Sequence, residues 1–473
     1  MTRYPTTISP SGHTTSSTAE QESGSITDYI RRLPKVELHA HLSGSIRHTS
    51  VAELIREHYP EAEVARLLQQ CRLDDNGGSG GRTMNECFAL FSVLHSVVSH
   101  PRILFLATIE ILEDFVFFDR AAYVELRTTP RAITATSSKT EYLATVLSAM
   151  DTFMDAVQKY LIDDSPCAAD VPSHIDQRSD QRIDERSDCG TSRTSTFFTK
   201  WRNDNDNSPA QLPSASDVVA SWRRRFSSSP AAECAELRSA ARRYVGAGLI
   251  VSIDRAQPVS EAWDTLNVVA ALLSEKNAPC KSRTSRIVGL DFSGNPFVGS
   301  FAAFADVFAA ARDTHKLAIT LHFAETDNAE DAAAMLAFAP RRLGHAAVLN
   351  NAMERALVES RIPVEVCFTS NLCCKLHETL ETHPFRVLQN TGQTWVPCTD
   401  DSGVFASTLR GEWALFVEQV QKGSVEGAKR VKETVLGVSR RAVEACFCSE
   451  EDLERLRENL REFARDEVVS LAI

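Results

Sequence analysis

The chain alternates between short apolar runs with strand-forming residues and longer stretches with helical spacing. The apolar runs are VELHAHL (36–42), AYVELRT (122–128), GLIVSID (248–254), IVGLDFSG (287–294), LAITLHFAE (317–325), RRLGHA (341–346), PVEVCFTSN (363–371) and TWVPCTDD (394–401). Each is long enough for one buried strand and is followed by room for a helix. Eight such units predict a (β/α)₈ TIM barrel. A helix is expected from Thr27 into the first run, two amphipathic helices over 83–118 with Pro101 opening the second, and further helices over 142–161 and 231–245. The glycine-rich stretch NGGSGG (76–81) reads as a hinge.

Two segments break the pattern. Residues 1–25 are rich in Ser and Thr without periodicity, which predicts a disordered tail. Residues 165–230 contain DQRSDQRIDERSD and few apolar positions, which predicts a disordered surface insertion, with SWRRRF (221–226) as a solvated charge run. The expected organisation is one barrel domain over 26–473, interrupted by that insertion.

Composition narrows the class. The chain has 473 residues, 43% hydrophobic and 24% charged, as in a soluble globular protein. No apolar run approaches the roughly 20 residues that span a bilayer, and the N-terminus lacks the apolar segment of a secretory signal. The expected location is therefore cytoplasmic, with no membrane partner. With 51 basic against 63 acidic residues, the net charge of −12 argues against a nucleic-acid partner. None of the 12 cysteines forms a CxxC pair, so they read as reduced thiols.

Candidate chemistry gathers at the ends of the runs. His39 and His41 sit at alternate positions and so share one face of a strand, half of a metal site. HFAET adds His322 and Glu325, RLGHA adds His345, and CTDD adds Asp400 and Asp401. Active sites of TIM barrels are built at the C-terminal ends of the strands. Taken singly, His322 reads as a satisfied core histidine and Asp400 as a helix N-cap; three histidines and paired aspartates at strand tips point to a zinc hydrolase.

The motifs LPKVELHAHLSGSI, DFSGNP, HFAET, RLGHA, TSN and TDD resemble the adenosine deaminase superfamily over about 33–405, apart from the insertion. Within it, ELRTTPR, LDFSGNP, EVCFTSN and TDDSGVF are most similar to the N6-methyl-AMP deaminase subgroup. The resemblance implies a metal-dependent hydrolase barrel holding one zinc per chain on His39, His41, His322 and Asp400. It implies that Glu325 protonates purine N1, that His345 orients and helps deprotonate the attacking water, and that Asp401 holds the water and a purine nitrogen. Gly294 corresponds to the glycine at the purine edge, His95 to a position near the ribose, and Asp254 to another substrate contact; His41 also faces substrate.

The expected reaction is the hydrolysis of N6-substituted AMP to IMP and an amine, by a monomer; the alternative is deamination of free adenosine. A catalytically silent barrel whose insertion binds a partner is a third reading, opposed by the intact His/Glu/Asp set. Thr128, Thr129, Pro130 and Arg131 follow a strand directly and offer hydroxyls, amides and a guanidinium to a 5′-phosphate. Ser43 stands where nucleoside deaminases carry Asp and the N6-methyl-AMP enzymes Asn; unlike a carboxylate, it would not repel a phosphate.

Overall fold

The computed structural model describes residues 26–71, 84–162, 212–226, 229–274, 286–423 and 428–470. The tail 1–25, the hinge 76–81 and most of the expected insertion lie outside the described residues. Eight strands form one parallel sheet in sequence order: β1 (Lys35–His41), β2 (Ala121–Thr128), β3 (Gly246–Asp254), β4 (Ile287–Ser293), β5 (Ala318–Phe323), β6 (Arg342–His345), β7 (Val364–Val366) and β8 (Trp395–Pro397). The sheet closes just beyond β8, where Ala40 bridges Asp400 in parallel. There His41 N–H donates to the Asp400 carbonyl at 2.9 Å, and Asp400 N–H to the His39 carbonyl at 2.8 Å. The (β/α)₈ barrel read from the apolar runs is the fold, with helices between the strands.

The strands are buried on both faces, which is why they read as near-continuous apolar runs: all eight residues of β2 are buried. The barrel interior, however, is polar rather than aliphatic. Glu37, His39, Glu125, Arg127, Asp291, Thr320, His322, Arg342 and Glu365 are all 5% exposed or less, and they pair across the barrel. Glu365 on β7 accepts from Arg127 Nη2 of β2 (2.8 Å), Thr320 Oγ1 of β5 (2.9 Å) and Arg342 Nε of β6 (2.6 Å). Arg342 also pairs with Glu125, stacks its guanidinium on the Phe447 ring, and donates to the Ala445 carbonyl. The segment between the last two helices, Ala428–Glu444 and Glu450–Ser470, therefore contacts the polar core. Gly344 makes room in this layer, since a Cβ there would lie 2.9 Å from His39 Cε1.

The helix expected from Thr27 is present at 26–32, and the 83–118 segment forms Met84–Val97, Pro101–Glu113 and a π turn over Asp114–Phe118. One expectation is corrected. The end of the supposed insertion is a packed helix, Ala215–Phe226. Val218, Trp222 and Phe226 recur at every fourth position and are buried, so the three intervening arginines hid an apolar stripe. The Trp222 ring lies 4.9 Å from Phe117 and 5.4 Å from Phe153, its indole N–H donates to Glu113 Oε1 at 2.6 Å, and Arg225 pairs with Glu113 at 3.0 Å. SWRRRF is thus part of the folded body: few apolar residues suffice when their spacing puts them on one face.

Candidate active site

At the C-terminal end of the barrel, β1 presents His39 and His41, β5 presents His322, β6 ends at His345, and the turn after β8 carries Asp400. The donor atoms of His39, His322, His345 and Asp400 all lie within 4.8 Å of one another. His41 joins them: its Nε2 is 3.1 Å from His322 Nε2 and 3.4 Å from Asp400 Oδ1, while His39 Nε2 is 3.3 Å from the same oxygen. Five of the predicted residues therefore converge on one point.

The rings are aimed from behind. His39 Nδ1 faces Glu365 Oε2 at 2.7 Å, and His322 Nδ1 faces Asp291 Oδ1 at 3.0 Å. A carboxylate only accepts, so each Nδ1 carries a proton, which leaves each Nε2 as the atom that would offer its lone pair to a bound cation. This is the arrangement that orients histidine for a cation. His39 Nε2 is buried with no hydrogen-bond partner, and two imidazole Nε2 atoms stand 3.1 Å apart. A divalent metal resolves both features, so the residues present fit one. Burial pushes the Asp400 carboxyl up, but the surrounding His345, His39 and His41 hold it well below the usual range, and Ser370 Oγ donates to its other oxygen at 2.6 Å. The backbone is strained at the tips: His345, Ala346, Ala324 and Asp400 have φ of 62°, 50°, 51° and 65° without being glycine. Such strain persists where the surroundings over-determine it, commonly at functional sites.

Two carboxyls beside the cluster have their pKa raised by burial. Burial raises the Glu325 pKa, and its Oε2 has no hydrogen-bond partner; its Oε1 is 3.8 Å from His345 Nε2. Burial, then the charge of Asp400, raises Asp401 well above the carboxylate range, and its Oδ1 is likewise unpartnered. Gly44 yields to that side chain, for a Cβ there would overlap Asp401 Oδ1. Burial pushes the His345 imidazole down to about 3.

A cavity opens over this floor. Of the predicted residues, His41, Ser43, His95, Thr128, Thr129, Asp254, Gly294, His322, Glu325, His345, Asp400 and Asp401 line it. Gly294 has φ +101°, and a Cβ there would meet Asp254 Oδ1 at 2.2 Å, so this glycine is required by the cavity wall itself. Pro130 and Arg131 are corrected: neither lines the cavity. Pro130 is buried, and the Arg131 guanidinium is turned onto Tyr142, 5.3 Å above its ring and 3.3 Å from its hydroxyl, with a second donor on the His95 carbonyl at 3.4 Å. The aromatic face and two acceptors offer a guanidinium more than the cavity edge does. Thr128 is similarly engaged, its hydroxyl 2.7 Å from that of Tyr142, whereas Thr129 is exposed.

Sequence reasoning missed Glu365, Asp291, Ser370, Cys87 and Phe91. The last two line the cavity with His95, and the four-residue spacing 87, 91, 95 on Met84–Val97 was a readable signal. Asn371, read as a strand end, lies on the short helix Phe368–Cys373.

Residues 247–463 match the family model described as adenosine deaminase. The N6-mAMP deaminase of Arabidopsis thaliana is 28% identical over 436 residues, covering 91% of this chain and 97% of that protein. The human N6-methyl-AMP deaminase is 26% identical, covering 85% and 87%. Among solved structures, Arabidopsis ADAL complexed with IMP superposes with a TM-score of 0.65 at 27% identity, covering 93% of this chain and 99% of that one. The complex with GMP gives 0.64 at 26%, covering 92% and 98%. The barrel and its His/Asp cluster thus stand in a chain whose C-terminal half matches the adenosine deaminase family model and which is similar nearly end to end to N6-methyl-AMP deaminases.

Proposed function

We propose that this protein is a zinc-dependent aminohydrolase that converts N6-substituted AMP, such as N6-methyl-AMP, and water to IMP and the free amine. The observation that carries the reading is Glu325: a buried carboxyl whose pKa burial raises, with an unpartnered oxygen, beside a cluster of histidines and Asp400 suited to a metal. His39, His41, His322 and Asp400 would hold one zinc. Bound there, zinc supplies the Lewis acidity that brings the pKa of a water towards neutrality.

The chain's own residues supply the rest. Glu325 delivers a proton to purine N1, which makes C6 electrophilic, and then returns protons towards the departing amine. Asp401 holds the incoming water and a purine nitrogen. The attack forms a C6–O bond and breaks the C6–N6 bond, so one water is consumed and one amine released. Asp254 and Gly294 border the purine, and His95 the ribose.

Preference for the nucleotide over the nucleoside is supported by three features. Ser43 puts no carboxylate where a 5′-phosphate would lie, Thr129 is exposed at the cavity, and the similar proteins include ones named N6-methyl-AMP deaminase and an Arabidopsis ADAL solved with IMP and with GMP. The domain we assign is a single barrel over 26–473. The test is amine release from N6-methyl-AMP, AMP and adenosine by the purified protein. A kcat/KM highest on N6-methyl-AMP supports the reading; adenosine as the best substrate overturns it.

A further inference from the structure

We infer that His383, acting through Asn371, fixes which nitrogen of His345 carries the proton, and so makes His345 a hydrogen-bond donor to the reacting centre. His383 is 2% exposed and is not among the residues on the cavity wall. The backbone N–H of Phe385 points at His383 Nδ1 from 3.1 Å. A backbone N–H can only donate, so Nδ1 holds a lone pair and the ring proton sits on Nε2. His383 Nε2 is 2.9 Å from the Asn371 side-chain amide, and a protonated nitrogen needs an acceptor there. That end of the amide is therefore its carbonyl oxygen; the two ends have the same shape, and the hydrogen-bond network decides between them. The opposite assignment would leave His383 accepting at both nitrogens, which an imidazole bearing a proton cannot do.

The consequence passes one residue further. The other end of Asn371, 3.2 Å from His345 Nδ1, is then the amide NH₂ and donates. His345 Nδ1 accepts, and its proton is on Nε2, the atom that lies 3.8 Å from Glu325 Oε1. The polarity is opposite to that of His39 and His322, whose Nδ1 atoms face carboxylates. Those two rings present lone pairs inward, and His345 presents N–H. Although His345 lies within the cluster, a ring with N–H inward is neither a metal ligand nor a base. It serves the attacking oxygen and Glu325 as a donor, which leaves His41 as the third histidine for the metal. The first reading of His345, as a group that helps deprotonate water, is replaced. His383 is a positioning residue, since it touches neither substrate nor metal donor.

Two measurements test this. The first needs no substrate: long-range proton–nitrogen correlation on enzyme labelled with ¹⁵N-histidine, with the His345 signals identified by their loss in His345→Gln. A protonated Nε2 and an unprotonated Nδ1 are expected; the reverse overturns the inference whatever the enzyme acts on. The second compares His383→Gln, whose amide can donate to Asn371 and accept from Phe385, with His383→Leu, which frees Asn371 to turn over. On N6-methyl-AMP, His383→Leu should lose kcat by at least about 10-fold with KM within about 2-fold, as wrong-tautomer variants do. His383→Gln should recover most of the loss, and zinc content should stay at the wild-type value in both. Equal kcat in the two variants, or loss of zinc with His383→Leu, overturns it. The inference rests on the proposed reaction only for this kinetic arm: no wild-type activity on N6-methyl-AMP would remove the substrate reading and leave the tautomer measurement to decide.

Discussion

Glu365→Gln should damage both the metal site and the fold, because one carboxylate serves both. Its four partners are His39 Nδ1 (2.7 Å), Arg127 Nη2 (2.8 Å), Thr320 Oγ1 (2.9 Å) and Arg342 Nε (2.6 Å). Glutamine keeps the shape, but its NH₂ must face two donors and its charge is gone. Hydrogen bonds to charged groups contribute about 1.5–3 kcal/mol each, but the amide oxygen retains one pair of donors. Arg127 also keeps Asp291 at 3.3 Å, and Arg342 keeps Glu125. The expected loss is therefore about 3–5 kcal/mol, that of a broken buried pair, rather than the sum of four bonds. His39 loses its orienting acceptor, which should weaken metal affinity about 10–100-fold. Denaturant unfolding of chelator-stripped protein measures the first effect, and zinc competition against a chromogenic chelator the second. The pH dependence adds a signature. Burial pushes Glu365 up, yet Arg127 and Arg342 hold it well below its ordinary value. Its contribution is thus fully present above the unfolded pKa of about 4.3 and is lost as pH falls towards the folded value; the glutamine variant should lack that acid-side slope. Unchanged stability together with unchanged zinc affinity would refute the reasoning.

Three further outcomes follow from the geometry. Glu325→Gln should retain zinc and bind substrate but lose kcat by at least about 10²-fold, since proton delivery occurs on the way to the transition state; a kcat within a few-fold of wild type in steady-state assays assigns the acid elsewhere. Trp222→Ala should destabilise by about 3–5 kcal/mol through the cavity it leaves among Phe117, Phe153 and Tyr160, and a denaturant midpoint equal to wild type would return this helix to the status of a dispensable insertion. Burial pushes Glu412 up to about 8; because the folded state then binds a proton that the unfolded state has lost, stability should fall as pH rises from about 5 to 8, by at most about 1.4 kcal/mol per unit. Glu412→Gln should flatten that slope when unfolding is compared at pH 6 and pH 8, and an unaltered slope rules the assignment out.

The barrel was legible because a parallel sheet covered on both faces must be written as apolar runs, and eight were. His39 and His41 were legible because alternation along a strand puts them on one side. The helix Ala215–Phe226 was not, although its stripe of Val218, Trp222 and Phe226 has helical spacing. The arginines at 223–225 outweighed three large apolar residues when the segment was read by its composition, while position decides burial. Arg131 was misplaced for a different reason: a strand tip narrows where a side chain starts but not which way a long one turns, and Tyr142, eleven residues on, supplied the competing surface.

The residues hardest to read were the carboxylates behind the histidines. In PVEVCF and VGLDFS a lone acid within an apolar run reads as tolerated polarity, and nothing local says that Glu365 and Asp291 are fully buried. Their partners lie up to 326 positions away in sequence. The physics does supply a constraint, however. An ionised carboxylate in the middle of a buried strand costs several kcal/mol unless it is paired, and two guanidiniums, Arg127 and Arg342, stand at equally improbable buried positions on other strands. Charges that cannot be buried alone must be buried together, so the charges set within these apolar runs predict a single shared network. A network of that kind is a poor way to fill a barrel for stability alone. Its use here is directional: with Glu365 and Asp291 held by Arg127, the Nδ1 protons of His39 and His322 have one place to go, and both lone pairs are left facing the site.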